Sequence, residues 1–470
     1  MAHTEEHGSL KALSWGVFLI LALSAVFVAA GFPYQPILVL GCVCALAFSV
    51  RYIYLALYAG IALAPFIGMR VVIPTGSLSF SGAVNGSIDV SLGEVVLFFV
   101  LLAWCCRLLV QWWHRRDQQW RPRLPLIQSY LLLFIAHLAS AFSPLQPDPA
   151  LVVKYSLRPV LFDYLAFIAL PVNLLRSRRR YCAALSVLVG VGVLSALDGL
   201  VSVFFPANSG AVLGRAYPLP ILGVSAIGEN YNELAELLVF TVPFTLALAG
   251  LVKNPRSKRL LQAAAAFQFF VGLLTFTRTI WIVFACQLAF MALTVWRDAL
   301  KKYLSTLLVI GVLLLPLGIG MAAYSVSQTA QSSNSTRLML SEIAFELYQS
   351  SPWVGAGAGT FLDRVGSTQV FLIEYGDPLD SHGFIQKLMA ETGTFGLIAI
   401  SIVLIQLGWM LWRARTEIHG EMRTVYVLLI SGVGGAFLYQ CFNTDYWTAK
   451  LWLPFGFLLA GMNLLCAKNE

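Results

Sequence analysis

Apolar runs of about 20 residues, parted by short polar breaks, fill most of this chain. Each is long enough to cross the hydrocarbon core of a bilayer as a helix. The pattern predicts spans at Leu13–Gly31, Leu92–Leu109, Leu124–Ser143, Pro159–Leu175, Cys182–Phe205 and Glu233–Val252. It continues with Leu260–Thr277, Thr279–Trp296, Tyr303–Ala323, Gly383–Trp412, Val425–Phe442 and Trp447–Cys466. Two shorter runs, Pro36–Val50 and Tyr52–Gly68, are separated only by Arg51 and read either as two spans or as a tight hairpin. The fold class is therefore an all-α polytopic membrane protein, a bundle of about 12–14 transmembrane helices. Polar stretches at Arg70–Ser91 (with room for a short hairpin), Pro144–Leu157 and Pro206–Tyr231 read as outer loops. The longest polar interruption runs from Ser332 to Gly396. The chain divides into residues 1–323 (about 11 spans), a long outer loop over 324–382 with short amphipathic helices, and three closing helices over 383–470.

Composition agrees with the pattern. The chain is 59% hydrophobic and 11% charged, with a mean hydropathy of +0.78, against roughly 25% charged residues in a soluble domain. The short alternating segments of a membrane barrel are absent. A net charge of +8 invites a nucleic-acid reading, but the position of the charges excludes it. Lys and Arg cluster in alternate loops, at 107–123, 176–180, 253–259, 297–302 and 413–423, as cytoplasmic loops do. The loops between them carry isolated cations: Arg70, Lys154, Arg158, Arg215, Arg278, Arg337 and Arg364. Both chain ends then lie inside and the long loop lies outside. The eight cysteines sit in or beside apolar segments and form no CxxC pair, so they read as small buried residues. The first apolar run ends in no cleavage pattern, and no cleavable signal peptide is expected.

This topology draws attention to a few outer residues. Arg278 stands between two spans, flanked by Thr277 and Thr279, where it either snorkels to headgroups or holds an anion. Arg337 opens an amphipathic run, Leu338–Tyr348, whose apolar side is expected from Leu338, Ile343, Phe345, Leu347 and Tyr348. It is either a solvated interfacial cation or a guanidinium forked for phosphate. The run Pro352-Trp353-Val354-Gly355-Ala356-Gly357 lacks a following lysine and a preceding strand, so it reads as a rigid turn rather than a nucleotide loop. His382 is the one outer histidine in this topology, preceded by Asp377 and Asp380, and His is the side chain suited to moving a proton near neutral pH. Asp363, Glu374, Asp377 and Asp380 have no spacing that demands a metal, and neither a metal nor another cofactor is expected. Asp163, Asp198 and His137 lie within spans, as proton relays or as hydrogen-bonding groups.

These motifs resemble those of bacterial O-antigen ligases and O-antigen polymerases. The carriers are His382-Gly383 followed, nine residues on, by Gly393-Thr394-Phe395-Gly396; the Thr277-Arg278 pair; Arg337 with the later Pro-Trp-Val-Gly-Ala-Gly run; and Asn230-Tyr231-Asn232 with Pro243. They cover roughly residues 220–400, in order and on one side of the membrane. Gly383 departs from the Asn, Ser or Gln usual there. The resemblance implies metal-independent, inverting glycosyl transfer on the periplasmic side of the bacterial inner membrane. The donor is a glycan on undecaprenyl diphosphate. The acceptor is lipid A-core in a ligase or a growing polysaccharide in a polymerase, with membrane lipids and other polysaccharide-assembly proteins as partners. It also implies roles: Arg278 and Arg337 hold the diphosphate, Arg215 is a third phosphate contact, His382 orients or deprotonates the acceptor, and Asn230 and Asp380 contact substrate. With the short pair at 36–68 counted as two spans, the span count leans toward a polymerase of O-antigen or exopolysaccharide. The alternative from another class is a transporter or flippase of lipid-linked oligosaccharide, which wants charged residues lining a mid-membrane path.

Overall fold

The computed structural model describes residues 34–74, 87–113, 122–146, 148–205, 215–220, 223–228, 230–297, 301–302, 328–443 and 449–466. The expected spans Leu13–Gly31 and Tyr303–Ala323 lie outside the described residues, as do the polar tail 1–12 and much of the 206–229 loop. The described chain is almost entirely helical, and among the described residues seven helices are long and apolar enough to cross a membrane. This is a multi-pass, all-α membrane protein.

The chain forms two compact units, residues 1–60 with 95–120, and residues 61–94 with 121–470. In the first, α1 (Tyr34–Arg51) meets α2 (Ile53–Leu63) at a bend of 114° measured from Gly41. The two short apolar runs are thus one sharply bent pair, with Arg107 of α3 (Leu92–Trp113) donating to the Val50 carbonyl at 2.6 Å. The second unit contains everything the candidate chemistry needs. It pairs β1 (Arg70–Pro74) antiparallel with β2 (Ser87–Ser91), Arg70 opposite Ser91. Ser91 and Glu94 then form a reciprocal cap at the start of α3, Ser91 N–H to Glu94 Oε2 at 2.8 Å and Glu94 N–H to Ser91 Oγ at 3.2 Å.

α4 (Ile127–Ala139) leads to a long helix, α5 (Pro149–Leu174), which begins ten residues before the expected span. Asp148 caps it, accepting from the Ala150 N–H, and Pro149 occupies the first turn. Much of the stretch expected as an outer loop is therefore helix. Pro159 sits inside it, where it removes a donor and crowds the preceding turn. The helix accommodates this by widening into π turns over Leu157–Phe162 and Tyr164–Ala169. Arg158 forks onto Glu94, Nε to Oε1 at 3.1 Å and Nη2 to Oε2 at 2.8 Å.

α6 (Arg178–Phe204), α7 (Tyr231–Leu251), α8 (Pro255–Leu274), α9 (Arg278–Thr294) and α14 (Glu421–Gln440) pack around one core. Ala196, Leu234, Leu238, Val239, Val271, Ile280, Phe284 and Tyr439 belong to it. α7 is central and buried over 89% of its apolar window, which is why it is hydrophobic on every side. The long polar segment has a small core of its own. α10 (Gln328–Ser350), α11 (Phe361–Ser367) and α12 (Gln369–Tyr375) meet α13 (Phe384–Ala414) through Leu340, Ile343, Ala344, Phe361, Val365, Phe371 and Ala390. The inward face of α10 thus steps from Leu340 at helical spacing, while Leu338 and Phe345, expected inside, are 63% and 51% exposed. α15 (Ala449–Cys466) closes the described chain.

α13 is broken at Gly393, whose φ is 62° and ψ −154°. The glycine-rich run crosses this break backbone to backbone. Ala356 N–H donates to Ala390 O at 2.8 Å, Gly357 N–H to Glu391 O at 3.0 Å, and Thr394 N–H to Pro352 O at 2.8 Å. A Cβ on Gly355 would stand 2.4 Å from the Glu391 carbonyl carbon, and one on Gly393 would stand 2.6 Å from that of Trp353. Only hydrogen fits between the two chains, so the run acts as a crossing point that fixes the path of the loop.

Candidate active site

Arg278 is the first residue of α9, reached through a tight turn from α8. The turn is strained: Phe276 adopts φ 49°, a left-handed conformation that a bulky residue rarely takes. The Thr275 hydroxyl, donating to Gly272 O at 2.7 Å, holds the turn from within. A cation at a helix N-terminus faces the positive end of the macrodipole. Guanidinium and free backbone amides therefore sit together at one point, an arrangement that favours an anion.

Arg337 approaches the same place from α10. Burial, and then the charge of Arg278, hold its pKa below the ordinary arginine value. Tyr439 and Tyr231 also face it and act in the opposite direction. Its Nε is buried without a hydrogen-bond partner, and among the described residues neither Arg278 nor Arg337 forms an ion pair with a carboxylate. Two guanidiniums that repel each other, with no paired carboxylate among the described residues, favour an anion between them.

His382 lies two residues before α13 and feels the Arg337 charge. Burial first, and Arg337 second, lower its pKa to about 4, with Asp380 opposing them. The imidazole is neutral at neutral pH, and its Nδ1 is buried without a hydrogen-bond partner. A hydrogen-bond relay ties the start of α13 to α10: Gln386 Nε2 donates to Ser341 Oγ at 2.9 Å, and Ser341 Oγ donates to Arg337 O at 2.7 Å. On the other side Gly383 passes the end of α14, where a Cβ would lie 3.3 Å from Cys441 O.

The remaining predicted residues divide. Arg215 joins the group at its edge: its guanidinium stacks 4.4 Å from the centroid of Tyr231, a ring that also faces Arg337, and donates to Phe276 O at 3.0 Å. Asn230 is exposed and serves as the N-cap of α7, accepting from the Asn232 N–H at 3.0 Å. Asp380 is engaged by Lys387 and by the Ser381 N–H, and it faces His382 electrostatically. Three other outer cations are committed elsewhere: Arg158 to Glu94, Arg364 to Leu145 O, and Arg70 to Ile67 O at 3.3 Å.

Sequence reading missed the polar wall behind the arginines. Lys450 of α15, fully buried, pairs with Glu233 and, at 3.2 Å, with Glu236 of α7. Gln440 donates to Glu236, Tyr439 Oη donates to Asn232 O at 2.9 Å, and Thr277 Oγ1 donates to Asn232 Oδ1 at 3.4 Å. These bonds tie α7, α14 and α15 to the turn that presents Arg278. The available signal was charge inside apolar segments, which is expensive unless paired or functional. Lys387 and Glu391, both buried in α13, were passed over for the same reason.

No curated protein matches the chain. Residues 263–401 match the family model for O-antigen ligase, a segment that holds Arg278, Arg337 and His382 together, and the match supports the O-antigen ligase/polymerase family that the motifs resemble.

Proposed function

We propose that the protein transfers a glycan from a polyprenyl diphosphate, of the undecaprenyl kind, to an acceptor sugar hydroxyl at the periplasmic face of a bacterial inner membrane. The family implies glycan transfer of the O-antigen ligase/polymerase type. The observation that carries the finer reading is the pair Arg278 and Arg337, lacking a counter-ion among the described residues, beside a neutral histidine with a free buried nitrogen.

The acceptor oxygen attacks the anomeric carbon from the face opposite the diphosphate. The new C–O bond forms as the bond to the diphosphate oxygen breaks, the electron pair leaves on the diphosphate, and the configuration inverts. Negative charge grows on the leaving group, where two preorganised guanidiniums stabilise it. The attacking hydroxyl loses its proton to His382, which is neutral and able to accept it. Arg215 on Tyr231 is placed for a further phosphate or sugar contact.

The test is a transfer assay with purified protein in detergent or nanodiscs. Arg278→Ala and Arg337→Ala are each expected to lower kcat by about 10²–10³-fold, the usual loss for one preorganised donor. His382→Ala is expected to lower it by about 10²–10⁴-fold. Near wild-type turnover in all three variants would falsify the assignment. Gel analysis of surface glycan after gene deletion separates the two acceptors: undecorated core means a ligase, single-repeat product a polymerase.

A further inference from the structure

We propose that Lys387 is a positioning residue for His382, acting through Asp380; this deepens the reading above and rests on His382 as the proton acceptor. Lys387 lies in the first turn of α13 with a side chain only 5% exposed, and its ammonium pairs with Asp380 Oδ2. The other carboxylate oxygen of Asp380 accepts the Ser381 N–H at 2.8 Å, and Ser381 Oγ donates to Gly383 O at 3.1 Å. The segment 380–383 is thereby closed on itself and clamped at one end to α13. His382 is the one residue of that segment whose ring is left with a buried, unpartnered nitrogen. Its neighbours on both sides are held, and they fix the backbone from which its ring projects.

The clamp reaches further than the histidine. One turn along α13, Glu391 is 1% exposed and its Oε1 accepts the Phe361 N–H at 3.2 Å, at the start of α11. Lys387 is electrostatically coupled to Glu391 as well as to Asp380. A buried ammonium thus links the carboxylate beside the histidine to the carboxylate that anchors the glycine-rich crossing. A buried charge of this kind is retained only with good partners. Asp380, 30% exposed, has water available and gains little stability from the pair. Its orientation is what the pair determines. The ion pair is therefore in place to set where Asp380, and with it His382, points.

Four variants of the full-length purified protein test this: Lys387→Met, Asp380→Asn, the two combined, and His382→Ala as reference. Turnover, donor KM and melting temperature are read for each. Lys387→Met is expected to lower kcat by about 10-fold or more, since a misplacement of about 1 Å costs on the order of 10²-fold in rate, with donor KM little changed. Asp380→Asn leaves the buried Lys387 ammonium without its carboxylate and should lower the melting temperature; the double variant removes both charges, so its melting temperature should recover towards wild type while kcat stays low. Recovery of kcat together with stability overturns the proposal, because the pair then only holds the fold. Wild-type kcat in Lys387→Met overturns it as well. Wild-type turnover in His382→Ala instead removes the reading of His382 itself, an outcome distinct from either.

Discussion

A histidine held between a buried wall and an arginine has an unusual acid limit. Burial and Arg337 lower the pKa of His382 to about 4, against an unperturbed value near 6.5. Transfer that depends on the neutral ring should be flat from neutral pH down to about 5 and fall only near 4. A pH–rate profile of the purified protein checks this, and an acid limb centred near 6.5 would contradict it. The same shift acts on stability. The unfolded ring takes up its proton near 6.5 and the folded ring only near 4. The stabilising contribution is therefore complete above the unfolded pKa and is lost as pH falls through that window. Arg278, Arg337 and His382 were legible in the sequence because the segments between the Arg/Lys-rich loops carry only isolated cations and, in the expected topology, one histidine. Glu233, Glu236 and Lys450 were not. Their partners are more than 200 residues away along the chain, and spacing alone cannot pair them.

At the scale of elements, the site depends on two devices. The first is the crossing of the glycine-rich run over the break in α13. Gly393→Ala puts a Cβ into a left-handed backbone position and 2.6 Å from the Trp353 carbonyl carbon. The backbone conformation, in a region almost confined to glycine, alone costs about 1–3 kcal/mol, and the clash adds to it. Thermal unfolding should show a lower Tm, and limited proteolysis should cut more readily within 351–382. The second device is the Lys450 wall. Lys450→Met leaves Glu236, 1% exposed, without its cation. Breaking a buried pair from one side costs about 3–5 kcal/mol, and the expected outcome is a loss of that order in detergent unfolding. The apolar runs announced most of these helices. The early start of α5 was signalled by Asp148-Pro149, a cap and first-turn pair that hydropathy overlooks. The break in α13 was not signalled, since a glycine within an apolar run marks a kink only when another chain must cross it.

For the whole molecule, the account needs one sidedness. On the proposed function, the loops with Arg/Lys clusters face the cytoplasm and residues 328–382 face outward. With the eight native cysteines replaced, Glu374→Cys should react with a membrane-impermeant maleimide in intact spheroplasts. Arg179→Cys should react only after lysis, and the reverse pattern would invert the topology. The central claim is narrower: the two arginines bind the lipid-linked diphosphate and the histidine acts afterwards. Binding of a polyprenyl diphosphate glycan to purified protein, measured beside single-turnover transfer, separates these steps. The account predicts that His382→Ala binds the donor as wild type does and fails to transfer, while Arg278→Ala combined with Arg337→Ala loses donor binding. Wild-type donor affinity in the double arginine variant would contradict it.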